Sequence, residues 1–280
     1  DFEYEDNGTT ITITRYNGTG GAIIIPDTID GKPVIEIGSS AFYQKVKIRS
    51  TLTLPSTLTT MGQCAFFGCS GFTGSLTLPS TLTAIGTYAF SGCSGFTGSL
   101  TIPEGVTSIQ IFSFQDCSGF NGTLSLPSGI TSIGSGAFSY CSGLSGGLVL
   151  PSSIKTISTR AFYCCRGFTG TLDIPESVTS IGVEAFFDCR GFTGPLVLPS
   201  NLKSIEESAF SWCSGLQGRV TFPATLTALR SAAFSYCSGI SEARFLGNAP
   251  TLMGGGVFAG TSSGFKVTYQ VGSIGFTPPT

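Results

Sequence analysis

The chain has 280 residues, of which 41% are hydrophobic and only 11% charged, with a formal net charge of −2. That balance supplies no basic footprint for nucleic acid or for an anionic membrane, and no run of about 18 apolar residues exists to span a bilayer as a helix. Histidine is absent, which removes the commonest general base and the Ser-His and Cys-His nucleophile pairs.

The first residues, DFEYEDNG, show no basic-then-apolar leader; for an exported chain, the signal is expected to have been removed or left out of this stretch. TTITITRY then alternates with period 2, Asn17-Gly18 marks a turn, and AIII reads as a second strand. Residues 1–25 are therefore expected to form a β-hairpin cap that hides the apolar end of a repeat stack. Residues 26–42 look like a repeat unit with an Asp30-Gly31-Lys32 turn inserted on one edge.

From here one lattice governs the chain. Phe42, Phe66, Phe90, Phe114, Phe138, Phe162, Phe186, Phe210, Phe234 and Phe258 stand 24 residues apart without a missed step. Such a period marks a repeat solenoid, in which each unit buries its apolar face against its neighbours. About ten 24-residue units are expected, mostly β and turns, with the array over 26–240.

Each column has an expected task. An L-x-L strand (Leu76 and Leu78, repeated at Leu172 and Ile174) turns two side chains inward and the middle one outward. The proline that follows, as at Pro79 or Pro175, ends it because it cannot donate to a ladder. Leu82 and Ile85 pin the return segment, and Ala89 and Phe90 pack inward. Gly71, Gly95, Gly119, Gly143, Gly167, Gly191, Gly215 and Gly239 are expected at turns that need φ > 0. Residues 241–280 keep Phe258 but lose the proline and cysteine columns, which suggests a degenerate last repeat and a capping strand from Phe265 to Val271. The ending FTPPT reads as the start of a linker, with more chain expected beyond it.

The run L-x-L-P-x-x-[LVI]-x-x-I-G-x-x-A-F-x-x-C, as in Leu76 to Cys93 and Leu172 to Cys189, resembles the BspA-like (Treponema-type) leucine-rich repeat family over nearly the whole chain. The resemblance implies a leucine-rich-repeat horseshoe or arc with a parallel β-sheet. It also implies export to a bacterial cell surface and adhesion to host matrix proteins or other cells. The extra turn Phe72 to Leu76 departs from the family's shorter unit.

Eight of the ten cysteines (69, 93, 117, 141, 165, 189, 213 and 237) share one column. Side chains in a column run parallel and do not converge as a zinc site or a relaxed disulfide requires, so buried thiols acting as small hydrophobes are expected. The off-lattice Cys64 and Cys164 are expected to be more exposed. The densest carboxylates, Asp173, Glu176, Glu184 and Asp188, have Arg166 and Arg190 in neighbouring columns, which favours ion pairing over acid chemistry on a sugar. An outward column of Thr53, Thr77, Thr101 and Ser125 could order water or ice, but Val149, Asp173 and Val197 interrupt it, and threonine suits a strand in any case. Sequons at Asn7, Asn17 and Asn121 arise easily in so Gly/Thr-rich a chain.

The column just before the cysteines varies most: Gly68, Gly92, Asp116, Tyr140, Cys164, Asp188, Trp212, Tyr236, flanked by Tyr163 and Phe187. Varied positions are those the core does not dictate. The candidate binding residues are Tyr140, Tyr163, Phe187, Trp212, Tyr236 and Asp173, as contact anchors, against the alternative that the rings pack over the next turn. No catalytic residue, metal ligand or cofactor is expected. The functional expectation is an extracellular, cell-surface, non-enzymatic adhesion module. Its partner is a host extracellular-matrix protein, a surface glycan or another cell-surface protein, without nucleic acid and without membrane insertion. The alternatives are a structural spacer in a larger surface protein and a polysaccharide-active enzyme.

Overall fold

The computed structural model describes residues 1–46 and 48–276. Residues 277–280, and with them most of the expected linker, lie outside the described residues. Every regular element among the described residues is a strand, most of them two residues long. The chain is a leucine-rich-repeat solenoid that divides into two compact units, residues 1–145 and 146–280.

In the first unit Phe2–Asp6 and Ile11–Tyr16 form an antiparallel hairpin, closed where the Asn7 N–H donates to the Thr10 carbonyl at 2.9 Å. Ile11–Tyr16 then starts a parallel ladder through Lys32–Ile37, Thr60–Met61 and Ala84–Ile85. The expected hairpin across Asn17-Gly18 is not the one formed. Ile23–Ile24 pairs in parallel with Leu52–Thr53 instead, because Ile23-x-Ile25-Pro26 already carries the apolar-x-apolar-Pro pattern of a coil. The polar DFEYED, mostly exposed, is left as the outer edge, where charge discourages further pairing. The inserted turn is present, with Thr28–Ile29 folded back on Lys32–Ile37 through Asp30 (φ 51°) and Gly31 (φ 75°).

In the second unit Thr156–Ile157, Ser180–Ile181, Ser204–Ile205, Ala228–Leu229 and Leu252–Met253 form a parallel ladder in strict 24-residue register. A second parallel sheet joins Gly218–Phe222, Ile240–Phe245 and Lys266–Tyr269. Its last strand falls within the expected capping segment.

The continuous ladders thus run through the Ser-Ile position before each Ile-Gly, and not through L-x-L as expected. Apart from Val220–Phe222, which lies in that three-stranded sheet, L-x-L pairs in short pieces, such as Leu100–Thr101 with Leu124–Ser125 or the single bridge Asp173 to Val197. A positive-φ glycine, as at Gly98 or Gly170, precedes the segment and a proline follows it, so few extended residues remain. Its inward and outward alternation holds nonetheless. Leu76 and Leu172 are buried and Thr77 and Asp173 are exposed.

The core is a column of rings. Phe66, Phe90 and Phe114 stack at 5.3 and 5.4 Å in the first unit, as do Phe162, Phe186 and Phe210 at 5.5 and 5.4 Å in the second. All are fully buried. Each contributes about 1.5–3 kcal/mol by burial, with roughly 0.5–1.5 kcal/mol more per ring pair.

The glycines of the Gly95 column work differently from the expectation. Gly71, Gly95, Gly119, Gly143, Gly191, Gly215 and Gly239 do not need positive φ; a Cβ at Gly95 would lie 2.5 Å from the Ser70 carbonyl oxygen of the coil before and closer still to that of Phe72. They are required for close backbone approach. The lattice cysteines are buried, and their thiols have a polar task as well as an apolar one. Phe66 O accepts from Cys69 N and from the Cys93 thiol one coil on, both at 3.1 Å, and Phe186 O accepts from the Cys213 thiol at 3.0 Å. Burial pushes these thiols up, Cys69 and Cys237 to about 12.

Candidate binding edge

The x-A-F-x-x-C segment forms a turn in which alternate N–H groups have different partners. In the second unit Cys165 lies one residue after Cys164, whose N–H donates to Phe187 O in the next coil at 2.8 Å. Asp188 N donates likewise to Ser211 O, Trp212 N to Ser235 O, and Tyr236 N to Ala259 O. The N–H groups between them close turns within the coil, such as Phe187 N to Glu184 O at 3.2 Å. Turning every second N–H along the stacking direction requires a left-handed residue on each side of Ala-Phe. Arg160, Glu184, Ser208 and Ala232 occupy the first such column, and Cys164, Asp188, Trp212 and Tyr236 the second, with φ between 53° and 64°. For residues with a Cβ that conformation costs roughly 1–2 kcal/mol each.

These columns project a connected strip of side chains. Arg166 and Arg190, both about half exposed, hold the buried Asp188 carboxylate between them. The Arg190 guanidinium lies over the Trp212 ring at 5.5 Å, and Trp212 stacks on Tyr236 at 4.3 Å and 17°. Beyond Tyr236 is Gly260, where a Cβ would sit 2.8 Å from the ring. A second stack, Tyr163 on Phe187 at 4.9 Å, carries Arg160 over Tyr163 at 5.4 Å, and Arg160 also pairs with Glu184. Trp212 is 39% and Tyr236 49% exposed.

The predicted site residues therefore sort into groups. Trp212 with Tyr236, and Tyr163 with Phe187, come together on the turn edge of the second unit. Tyr140 occupies the same column in the first unit and is 44% exposed. Asp173 stands apart from the rings, on the outer side of L-x-L, bridged to Val197 and beside Val149 and Leu150. The left-handed geometry was not foreseen, although Gly68, Gly92 and Gly136 at these lattice positions carried the signal. Cys164 is buried, contrary to the expected exposure, because the turn tucks its short side chain in beside Asp188. Its thiol lies 3.7 Å from the Asp188 carboxylate and is pushed up to about 11, by burial first and that charge second. Cys64 is half-buried.

Residues 35–169 and 155–275 match the profile of the BspA type Leucine rich repeat region. The chain belongs to that family. A leucine-rich repeat protein of Bacteroides ovatus shares the fold of this BspA-type chain, with a TM-score of 0.67 at 21% identity over 97% of this chain and 77% of that one. Looser similarities, which carry no functional argument, are a leucine rich cell surface protein of Faecalibacterium prausnitzii (TM-score 0.44, 23% identity, 97% and 93% covered) and the pneumococcal vaccine antigen PcpA (0.48, 17%, 99% and 89%). No curated protein matches the chain.

Three of the four clustered carboxylates of this BspA-type chain are taken up structurally. Glu176 accepts from the Ser200 N–H and hydroxyl, Glu184 pairs with Arg160, and Asp188 with its two arginines. No group of three or more His, Cys, Asp or Glu able to hold a metal occurs among the described residues.

Proposed function

We propose that the chain is a non-enzymatic recognition module, acting outside the cell at a cell surface, whose second-unit turn edge binds a glycoprotein or glycan of a host matrix or of another cell. One observation carries this reading. Trp212 and Tyr236 are exposed aromatics at left-handed positions that glycine fills elsewhere in the same column, at Gly68 (φ 70°) and Gly92 (φ 76°). The left-handed backbone recurs in every coil and does not ask for a ring there, so the lattice leaves the choice of these two aromatics to demands outside the core. Exposed aromatic rings beside arginine are also the composition of contact anchors.

The test is a titration of the purified chain against immobilised fibronectin, fibrinogen and mucin, each with and without prior deglycosylation, repeated with the Trp212→Ala/Tyr236→Ala double variant. Saturable binding that the double variant loses supports the edge as the contact, and loss after deglycosylation assigns the contact to sugar. Wild-type binding that survives the double substitution removes these rings from the site, and no binding to any surface favours the spacer.

A further inference from the structure

In the first unit, a cavity of about 320 Å³ opens where the N-terminal hairpin meets the turn of the first coil. Arg15 lines it from the hairpin strand, and Ser40, Ala41, Tyr43 and Lys45 line it from the turn. The lining is unusual in a chain so poor in charge, because it contains two cations and no carboxylate. Neither Arg15 nor Lys45 belongs to any ion pair found among the described residues. Glu3 faces Arg15 across the hairpin, yet its carboxylate accepts from Asn17 Nδ2 at 2.6 Å, and Asp6 is held by Lys32. Asp6 is thus paired elsewhere, and Glu3, which keeps its charge, is not among the lining residues, so two cations face one small concavity whose lining holds no carboxylate.

The remaining lining groups narrow the ligand. Tyr43 is 44% exposed and stacks on Phe67 at 5.2 Å and 10°. It is the first ring of its column, so its other face has no aromatic of an earlier coil to lie on. The Ser40 hydroxyl has no hydrogen-bond partner among the described residues, and the left-handed backbone there (φ 59°) places it at the rim of the turn. A cation pair, an open aromatic face and an unused hydroxyl match the parts of a sugar acid: an anionic group, an apolar C–H face and a hydroxyl rim. The volume lies at the low end of ligand pockets, enough for a saccharide unit and far more than a bare oxyanion fills.

We propose that this cavity is a subsite for an acidic sugar, its carboxylate or sulfate held between Arg15 and Lys45 and its ring laid on Tyr43. The site does not depend on the turn edge of the second unit, so either can fail without the other.

Calorimetric titration of the full chain at low ionic strength tests it, with sodium glucuronate, glucose, sodium sulfate and an acidic dipeptide as separate probes. Glucuronate should bind, with glucose about tenfold weaker or undetectable, and Arg15→Gln or Lys45→Gln should each weaken glucuronate about tenfold. Affinity should fall as salt is raised, since both cations are at the surface. Tyr43→Ala should weaken glucuronate and leave sulfate unchanged, while Trp212→Ala should leave both unchanged; thermal midpoints near wild type show that the variants fold. Sulfate as tight as glucuronate would reduce the cavity to a plain anion hole and overturn the sugar assignment. A dipeptide tighter than glucuronate, glucuronate binding indifferent to Arg15→Gln and Lys45→Gln, or no glucuronate binding at all would overturn it too.

Discussion

At the lattice position two residues after each motif phenylalanine, the first unit carries Gln44, Gly68, Gly92, Asp116 and Tyr140, and the second Cys164, Asp188, Trp212, Tyr236 and Gly260. All ten are left-handed, with φ between 52° and 76°. One backbone solution therefore carries glycine, an acid with no cation partner among the described residues, a clamped acid and three large rings. The inner columns behave in the opposite way, holding Phe, Ala and Cys in both units with almost no variation. The contrast teaches that the lattice dictates the inside and leaves this edge to other demands.

The largest test of that contrast is in the core. Phe114→Ala in the first unit and Phe186→Ala in the second should each cost about 4 kcal/mol, read from urea midpoints, and unequal costs would break the claim that the inner lattice is the same in both. Next come the close-approach glycines. Gly95→Ala and Gly191→Ala each push a Cβ against carbonyl oxygens of the coil before, and backbone cannot step aside, so about 3 kcal/mol is expected for each. Gly98→Ala, with φ 82° but no atom closer than 4.0 Å to its Cβ, should cost only about 1 kcal/mol.

The thiol columns give a pH signature common to both units. Burial raises Cys69 and Cys237 from 9.0 to about 12, so the folded chain keeps protons that the unfolded chain releases. The associated stability is fully present below pH 9 and is lost as pH rises toward 12. Cys69→Ala and Cys237→Ala should each flatten the alkaline fall in stability relative to wild type, measured between pH 8 and 11.

Smaller effects should distinguish the edges. Asp188→Ala removes the shared partner of two half-exposed arginines and should cost about 1 kcal/mol after solvent screening. Asp116 has no cation partner among the described residues, and burial raises its carboxyl. Asp116→Asn should therefore stabilise at pH 7, and the gain should vanish as pH falls below about 4, where the unfolded carboxyl is protonated too. Smallest in stability is Trp212→Gly. Relief of the left-handed strain and loss of the ring contacts are each about 1 kcal/mol, so the melting point should barely move while ligand binding falls.

The repeat was legible because periodicity needs no partner to be seen: Phe90, Ala89 and Cys93 declare inward columns by recurrence alone. The Gly95 column was visible but its reason was not, since positive φ and close approach both select glycine and only the position of Phe72 O separates them. The hairpin was misplaced for a related reason. Ile23-x-Ile25-Pro26 has the alternation of a cap strand and of a coil strand, and only pairing with Leu52–Thr53 decides between them. At the edge, Trp212 and Tyr236 stood out as varied residues, but Arg190 over Trp212 could not be read from spacing, because nothing in a side chain's lattice number says which way it leans.

The sequence by itself determined the period, the family, the inward columns and the absence of histidine chemistry, because these are properties of residue identity and recurrence. The tertiary structure decided which segment carries the ladder, where the left-handed residues fall, and how Asp188 takes both arginines. It also decided that Arg15 and Lys45, 30 residues apart, face one cavity. Those facts depend on stacking one coil on the next, which turns a separation along the chain into a contact across it.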